Sequence, residues 1–212
     1  KNYKIKILCT LGPSTLNYKF IKFALKNKVS LLRLNLSHIK LNQLDVLLSS
    51  KLKKYKNKIC IDTEGAQIRT KISKKIFYKK NSYGKIYDKG NKFSLYPENV
   101  FEKLKVNDHL DIGFEGLKIR LIKKSDNNFS FITIKSGYLE KNKGVHVYNR
   151  KINLDFITKK DEKAIEIAKK HKIKNFALSF TNSVNDIKKF NKLLPNATKI
   201  YKIETKKTLQ NI

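Results

Sequence analysis

The chain has 212 residues, with 48 Lys or Arg against 17 Asp or Glu and a formal net charge of +31. Hydrophobic residues make up 40%, which excludes wholesale disorder, and no apolar run approaches the roughly 18 residues of a membrane span. The charge favours anionic partners, but only Arg33, Arg69, Arg120 and Arg150 are arginines and the lysines are spread evenly, so it reads first as a compositional bias on a solvated surface, then as steering of small anions, and last as nucleic-acid binding.

The amino-terminal run has no signal-peptide pattern and predicts a strand over Lys4–Thr10, followed by a loop at Leu11-Gly12-Pro13-Ser14. Ser14 or Thr15 then caps a helix whose apolar face is Phe20, Ile21, Phe23, Ala24 and Leu25. Leu31–Leu36 predicts a second strand, Leu41–Leu52 a second helix, and Lys58–Asp62 a third strand with a loop from Thr63-Glu64-Gly65. This is the rhythm of a parallel sheet. Between about Thr70 and Arg150 the pattern becomes short alternating runs. Strands are expected at Lys85–Ser94, His109–Ile112, Leu117–Ile122, Phe129–Ile134 and Val145–Val147, with turns at Asp88-Lys89-Gly90 and Ser125–Asn128.

The β/α series resumes with a helix over Thr158–Lys170, opened by a capping box of Thr158 and Asp161. A strand at Asn175–Phe180, a helix at Val184–Leu194, a strand at Thr198–Ile203 and the start of a helix at Lys207–Ile212 complete the prediction. Cys9 and Cys60 each sit in an apolar run and imply no disulfide framework, which predicts a reducing, cytoplasmic location. The chain has no Met and starts at Lys1, which predicts a processed, trimmed or partial chain.

The strand ends carry the informative polar residues. They are Thr10; Arg33, Asn35 and Ser37; Asp62 and Thr63; Ser179; and Lys202 and Glu204. Functional groups of β/α folds gather at carboxyl strand ends. If these ends converge, bases, carboxylates and hydroxyls together suit a phosphorylated acid with metal ions. Taken singly, Ser37 equally fits a helix cap and Lys202 a solvated lysine, so the ensemble carries the reading.

CTLGPST (Cys9–Thr15), LLRLNLSH (Leu31–His38), IDTEGAQIRT (Ile61–Thr70), LDFITKKDEKAI (Leu154–Ile165), ALSFTNSVNDI (Ala177–Ile187) and YKIET (Tyr201–Thr205) follow one another in order. Together they make the chain resemble the amino-terminal part of pyruvate kinase. The resemblance implies an α/β fold: strands one to five of a (β/α)8 TIM barrel over residues 1–71 and 151–212, with a small β-barrel lid domain inserted over 72–150. It also implies transfer of a phosphoryl group from phosphoenolpyruvate to ADP with Mg2+ or Mn2+ and K+, in a homo-oligomer, usually a tetramer. By motif, Arg33 and Lys202 would be catalytic, Arg69 and Thr10 would face the cofactor, Asn35, Ser37, Asp62 and Thr63 would hold the monovalent cation, and Glu204 would hold the divalent ion.

Departures from the family pattern are Glu64 for Lys, Ala66 for Pro, Gln67 for Glu, Asn182 for Arg and Thr205 for Asn. Glu64 reverses a charge near the expected phosphate site, and Glu64→Lys is expected to tighten substrate binding. The family's Gly-Asp-Leu-Gly segment, with the second metal carboxylate, has no counterpart, so this chain alone is expected to be inactive. The alternative reading is a catalytically weakened relative that binds or regulates.

Overall fold

The computed structural model describes residues 5–90, 92–205 and 209. In chain order, β1 (Leu8–Thr10), α1 (Tyr18–Lys26), β2 (Leu31–Asn35), α2 (Leu41–Ser49) and β3 (Ile59–Asp62) come first. A run of strands follows: β4 (Ile68–Lys71), β5 (Ile76–Tyr78), β6 (Tyr83–Tyr87), β7 (Ser94–Tyr96), the short helix α3 (Val100–Lys103), β8 (His109–Ile112), β9 (Leu117–Ser125), β10 (Asn128–Lys135), β11 (Gly137–Leu139) and β12 (Gly144–Val147). The chain then returns to alternation with α4 (Lys159–Lys170), β13 (Asn175–Leu178), α5 (Val184–Leu193) and β14 (Thr198–Tyr201).

Two compact units result, Lys1–Ala66 with Asp155–Ile212, and Gln67–Leu154. In the first, one parallel sheet has the order β1-β2-β3-β13-β14. One face of its inner strands is apolar: Leu32, Leu34, Ile59, Ile61, Phe176 and Leu178 are all buried and share that face by register, while Arg33, Cys60, Asp62 and Ala177 share the other. The apolar face is the one that the helices cover. Ile21, Leu44, Leu48, Ile165 and Phe190 from the helices join the same core. This is the expected partial TIM-barrel sheet.

The second unit is a closed barrel of order β10-β6-β7-β4-β12-β8-β9, with β11 and β5 paired beside it. Along β9, Leu117, Ile119 and Leu121 are buried while Lys118 and Arg120 are not. This period of two closes the barrel around Phe129, Phe131 and Leu110. The inserted β-barrel that the family resemblance implies is therefore present.

Local differences have identifiable causes. The cap of α1 is Asn17, whose Oδ1 accepts from Phe20 N at 2.9 Å. Ser14 and Thr15 belong to a tight turn instead, where Gly12 N donates to Thr15 Oγ1 at 2.8 Å and Leu16 N to Gly12 O at 2.9 Å. The capping box of α4 forms as expected, with Asp161 N donating to Thr158 Oγ1 and Thr158 N to Asp161 Oδ2. The strand expected over Lys85–Ser94 is two, β6 and β7, split by the turn at Asp88–Gly90 and paired at Tyr87 and Ser94. The helix expected at Lys207–Ile212 lies, apart from Leu209, outside the described residues. Among the described residues no helix is long and apolar enough to cross a membrane.

Candidate functional site

Parallel pairing sets the polar strand ends side by side. Thr10 is the register partner of Arg33, Asn35 of Asp62, and Asp62 of Ala177 on the other flank. Asp62 is the hub, with no solvent exposure. Its Oδ2 accepts from Arg33 Nε at 2.6 Å and Lys202 Nζ at 3.0 Å, and lies 2.5 Å from Arg33 Nη2. Its Oδ1 accepts from Ser179 Oγ at 3.1 Å. Arg33 Nη1 extends the chain of contacts to Thr10 Oγ1 at 2.9 Å. At the other side Lys202 Nζ lies 3.4 Å from Glu204 Oε1, while Glu204 Oε2 accepts from Phe180 N at 3.0 Å. Thr10, Arg33, Asp62, Lys202 and Glu204 thus form one connected row across the five strands.

Two cations on one buried carboxylate satisfy the electrostatic requirement for burying it, and each cation keeps about a fifth of its side-chain surface in solvent, 23% for Arg33 and 22% for Lys202. The accessible side of Arg33 can meet a second anion, while Lys202 already has Glu204 Oε1 at 3.4 Å beside it. A guanidinium and an ammonium anchored at fixed positions stabilise added negative charge without reorganising.

The remaining predicted residues stand differently. Asn35 Oδ1 accepts from Ser37 N at 3.0 Å, capping the turn Leu36–His38. Thr63 is buried: its carbonyl accepts from Ser179 Oγ at 2.6 Å and its Oγ1 from Ser179 N at 3.0 Å. Arg69 lies on β4, in the inserted unit. Among the described residues no group of three or more His, Cys, Asp or Glu is placed to hold a metal ion.

Sequence reasoning gave Ser179 as a strand-end hydroxyl and Asp161 as part of a helix cap, and missed that both brace the row. Ser179 clamps Asp62 and Thr63 together, and Asp161 holds the loop after β3 from below. Glu64 N and Gly65 N donate to the Asp161 carboxylate at 2.7 and 3.1 Å. Burial pushes the Asp161 carboxyl above its ordinary value, while its backbone N–H partners pull it down. The only local signal was its place in the capping box.

Glu64 departs from the expectation made for it. Its buried carboxylate accepts from Lys160 Nζ at 2.8 Å and Thr158 Oγ1 at 3.3 Å, so its charge is neutralised at the start of α4. Lys160 Nζ also donates to Leu36 O. Glu64→Lys therefore sets two ammonium groups against each other. We expect it to lower unfolding free energy by about 2 kcal/mol, read by urea denaturation, and not to tighten substrate binding. The departures Asn182 and Thr205 are partners too: Thr205 Oγ1 donates to Asn182 Oδ1 at 2.7 Å.

Cys60, on β3, is buried beside this row, and burial first, then the Asp62 charge, push its thiol up to about 12. A thiol this weakly acidic is almost wholly protonated at neutral pH. A disulfide reagent at neutral pH is expected to modify Cys9 in the native protein and Cys60 only after denaturation. Equal labelling rates for the two would contradict the burial argument.

A family model described as "Pyruvate kinase, barrel domain" matches residues 2–212. A pyruvate kinase of Thermotoga maritima is 28% identical over 224 residues, covering 98% of this chain and 48% of that protein. Pyruvate kinases of Staphylococcus epidermidis and Staphylococcus aureus are each 27% identical, over 227 and 229 residues, covering 99% of this chain and 39% of those proteins. The chain therefore spans less than half the length of these relatives.

Proposed function

The chain belongs to the pyruvate kinase family, and from that premise we propose that the protein carrying it transfers the phosphoryl group of phosphoenolpyruvate to ADP, giving pyruvate and ATP. The connected row Thr10–Arg33–Asp62–Lys202–Glu204 at the carboxyl ends of the strands supports this reading. In it, Arg33 binds the phosphoryl group and Lys202 neutralises charge that grows as the group moves, both held in place by Asp62. Arg69 and Thr10 serve the nucleotide side.

The donor chemistry fits the ions the family uses. Glu204 supplies one carboxylate for Mg2+ or Mn2+, which take their other ligands from water and substrate phosphate. Asn35, Ser37, Asp62 and Thr63 offer oxygens of the kind K+ accepts. Bound there, the ions would neutralise phosphate charge. Assembly as a homo-tetramer and a cytoplasmic location belong to the same proposal.

The test is pyruvate formation by the full-length protein from phosphoenolpyruvate, ADP, Mg2+ and K+. Pyruvate at background overturns the enzyme reading. Phosphoenolpyruvate binding without turnover would support the second reading, a binding or regulatory relative, for which Asn182, paired with Thr205 and standing in place of the family's Arg, speaks. Lys202→Met is expected to lower kcat about a hundredfold with a smaller change in KM, because the ammonium acts on developing charge. An unchanged kcat with raised KM would assign Lys202 to ground-state binding alone.

A further inference from the structure

At the amino ends of β3 and β13, opposite the candidate site, Lys53, Lys54, Lys56, Lys170, His171 and Lys172 line a groove of about 550 Å³ together with Leu48 and Ser50. Asp62 ends β3 and Ser179 follows β13, so the two sites are separated by about 10 Å or more along the sheet. Lys53, Lys54 and Lys56 stand on the 3-10 turn Lys53–Lys58, and Lys170 and Lys172 flank the end of α4. Two lysine-bearing segments far apart in sequence are thus brought together by the fold.

Like most lysines of the chain, the groove lysines stand outside the ion pairs found among the described residues. Lys71, Lys75, Lys118, Lys143, Lys160 and Lys202 each meet a carboxylate. None of the five groove lysines does so among the described residues. The neighbouring acid Asp45 is engaged by His171, whose Nε2 lies 2.7 Å from its Oδ1. Part of the charge answers the carbonyl end of α4, which accounts for Lys170 but not for the three lysines of the turn.

We propose that this groove binds a compact anion carrying two or more phosphate groups, at a site separate from the Asp62 row. Ammonium groups act as point charges on phosphate and need no fixed fork geometry. Several exposed ammonium groups lining one concavity favour a multivalent anion over single phosphates. The volume is that of a small-molecule site. No Phe, Tyr or Trp lines the groove, so nothing there stacks a base, and the phosphate chain itself is what is recognised.

The experiment is calorimetric titration of the full-length protein with inorganic tripolyphosphate at about 0.15 M salt, where weak surface attraction is screened. Saturable binding is expected. It should weaken about tenfold or more in Lys53→Gln/Lys54→Gln/Lys170→Gln, and less than about threefold in Lys19→Gln/Lys22→Gln/Lys123→Gln, which removes the same charge elsewhere. Equal weakening in both variants, or no saturation, overturns the proposal. Tripolyphosphate should also protect Lys53, Lys54 and Lys170 from acetylation; protection of Lys202 instead would place the anion in the other site. A single-stranded oligoribonucleotide that binds more tightly, and is weakened by the same groove substitutions, would overturn the small-ligand assignment.

Discussion

Asp62→Ala is expected to lower the unfolding free energy by about 3–5 kcal/mol, because it leaves Arg33 and Lys202 facing each other without their shared counter-charge. The two cations are largely buried, so solvent replaces the lost carboxylate poorly. The loss extends to Ser179, whose Oγ gives up one acceptor but keeps the Thr63 carbonyl at 2.6 Å. Asp62→Asn is expected to cost less, since an amide oxygen still accepts from Ser179 while the charge is gone. Urea or guanidinium denaturation checks both. A midpoint unchanged in Asp62→Ala would mean that the cations find other partners and that Asp62 is not the hub.

Gly65→Val carries the second large effect. Gly65 has φ +66, a left-handed conformation that costs an L-residue about 1–2 kcal/mol, and more for a branched one. A Cβ there would stand 2.4 Å from the Ser179 carbonyl oxygen and 2.9 Å from its carbon, both backbone atoms. Either the loop after β3 or the end of β13 must move, and both position Asp62. The expected cost is about 3 kcal/mol or more, accompanied by loss of phosphoenolpyruvate binding out of proportion to the fraction unfolded. Gly12 is the control: nothing lies within 4 Å of a Cβ built there. Gly12→Ala should leave the denaturation midpoint close to that of the parent, and equal losses at the two positions would refute the steric account.

What could be read from the sequence followed from local period and local punctuation. Leu31–Asn35 and Ile59–Asp62 are apolar runs ending in polar residues, and both are parallel strands with those residues at their carboxyl ends. Thr158 and Asp161, three residues apart, announced the start of α4. The inserted unit was harder because its strands are short. Ile76–Tyr78 and Gly137–Leu139 are three residues each and form a two-stranded sheet with each other, so neither carries enough alternation to be seen alone. Ile68–Lys71 was absorbed into the motif that resembled the family.

At the site, residues whose role shows in a strand end were legible, and those whose role is a distant partner were not. Lys160 meets Glu64 across 96 positions, and in a chain so rich in lysine nothing marks it out. Ser179 looked like one more strand-end hydroxyl, although it binds Asp62 and Thr63 at once. Glu64 was visible as an anomaly, but the sign of its effect depended on a partner that only the tertiary structure supplies.

The barrel of the inserted unit begins on β4 and ends on β12, and these two strands are hydrogen-bonded neighbours, with Gly144 opposite Arg69 and Val145 opposite Ile68. That pairing bears on the order in which the chain folds. Before β13 can find β3, the ends of a long intervening loop must meet, at an entropic cost that grows with loop length. An insertion that folds first brings its own ends together and turns that long loop into a short one. Residues that stabilise β4–β12 pairing should therefore speed formation of the parallel sheet, although they belong to neither of its strands.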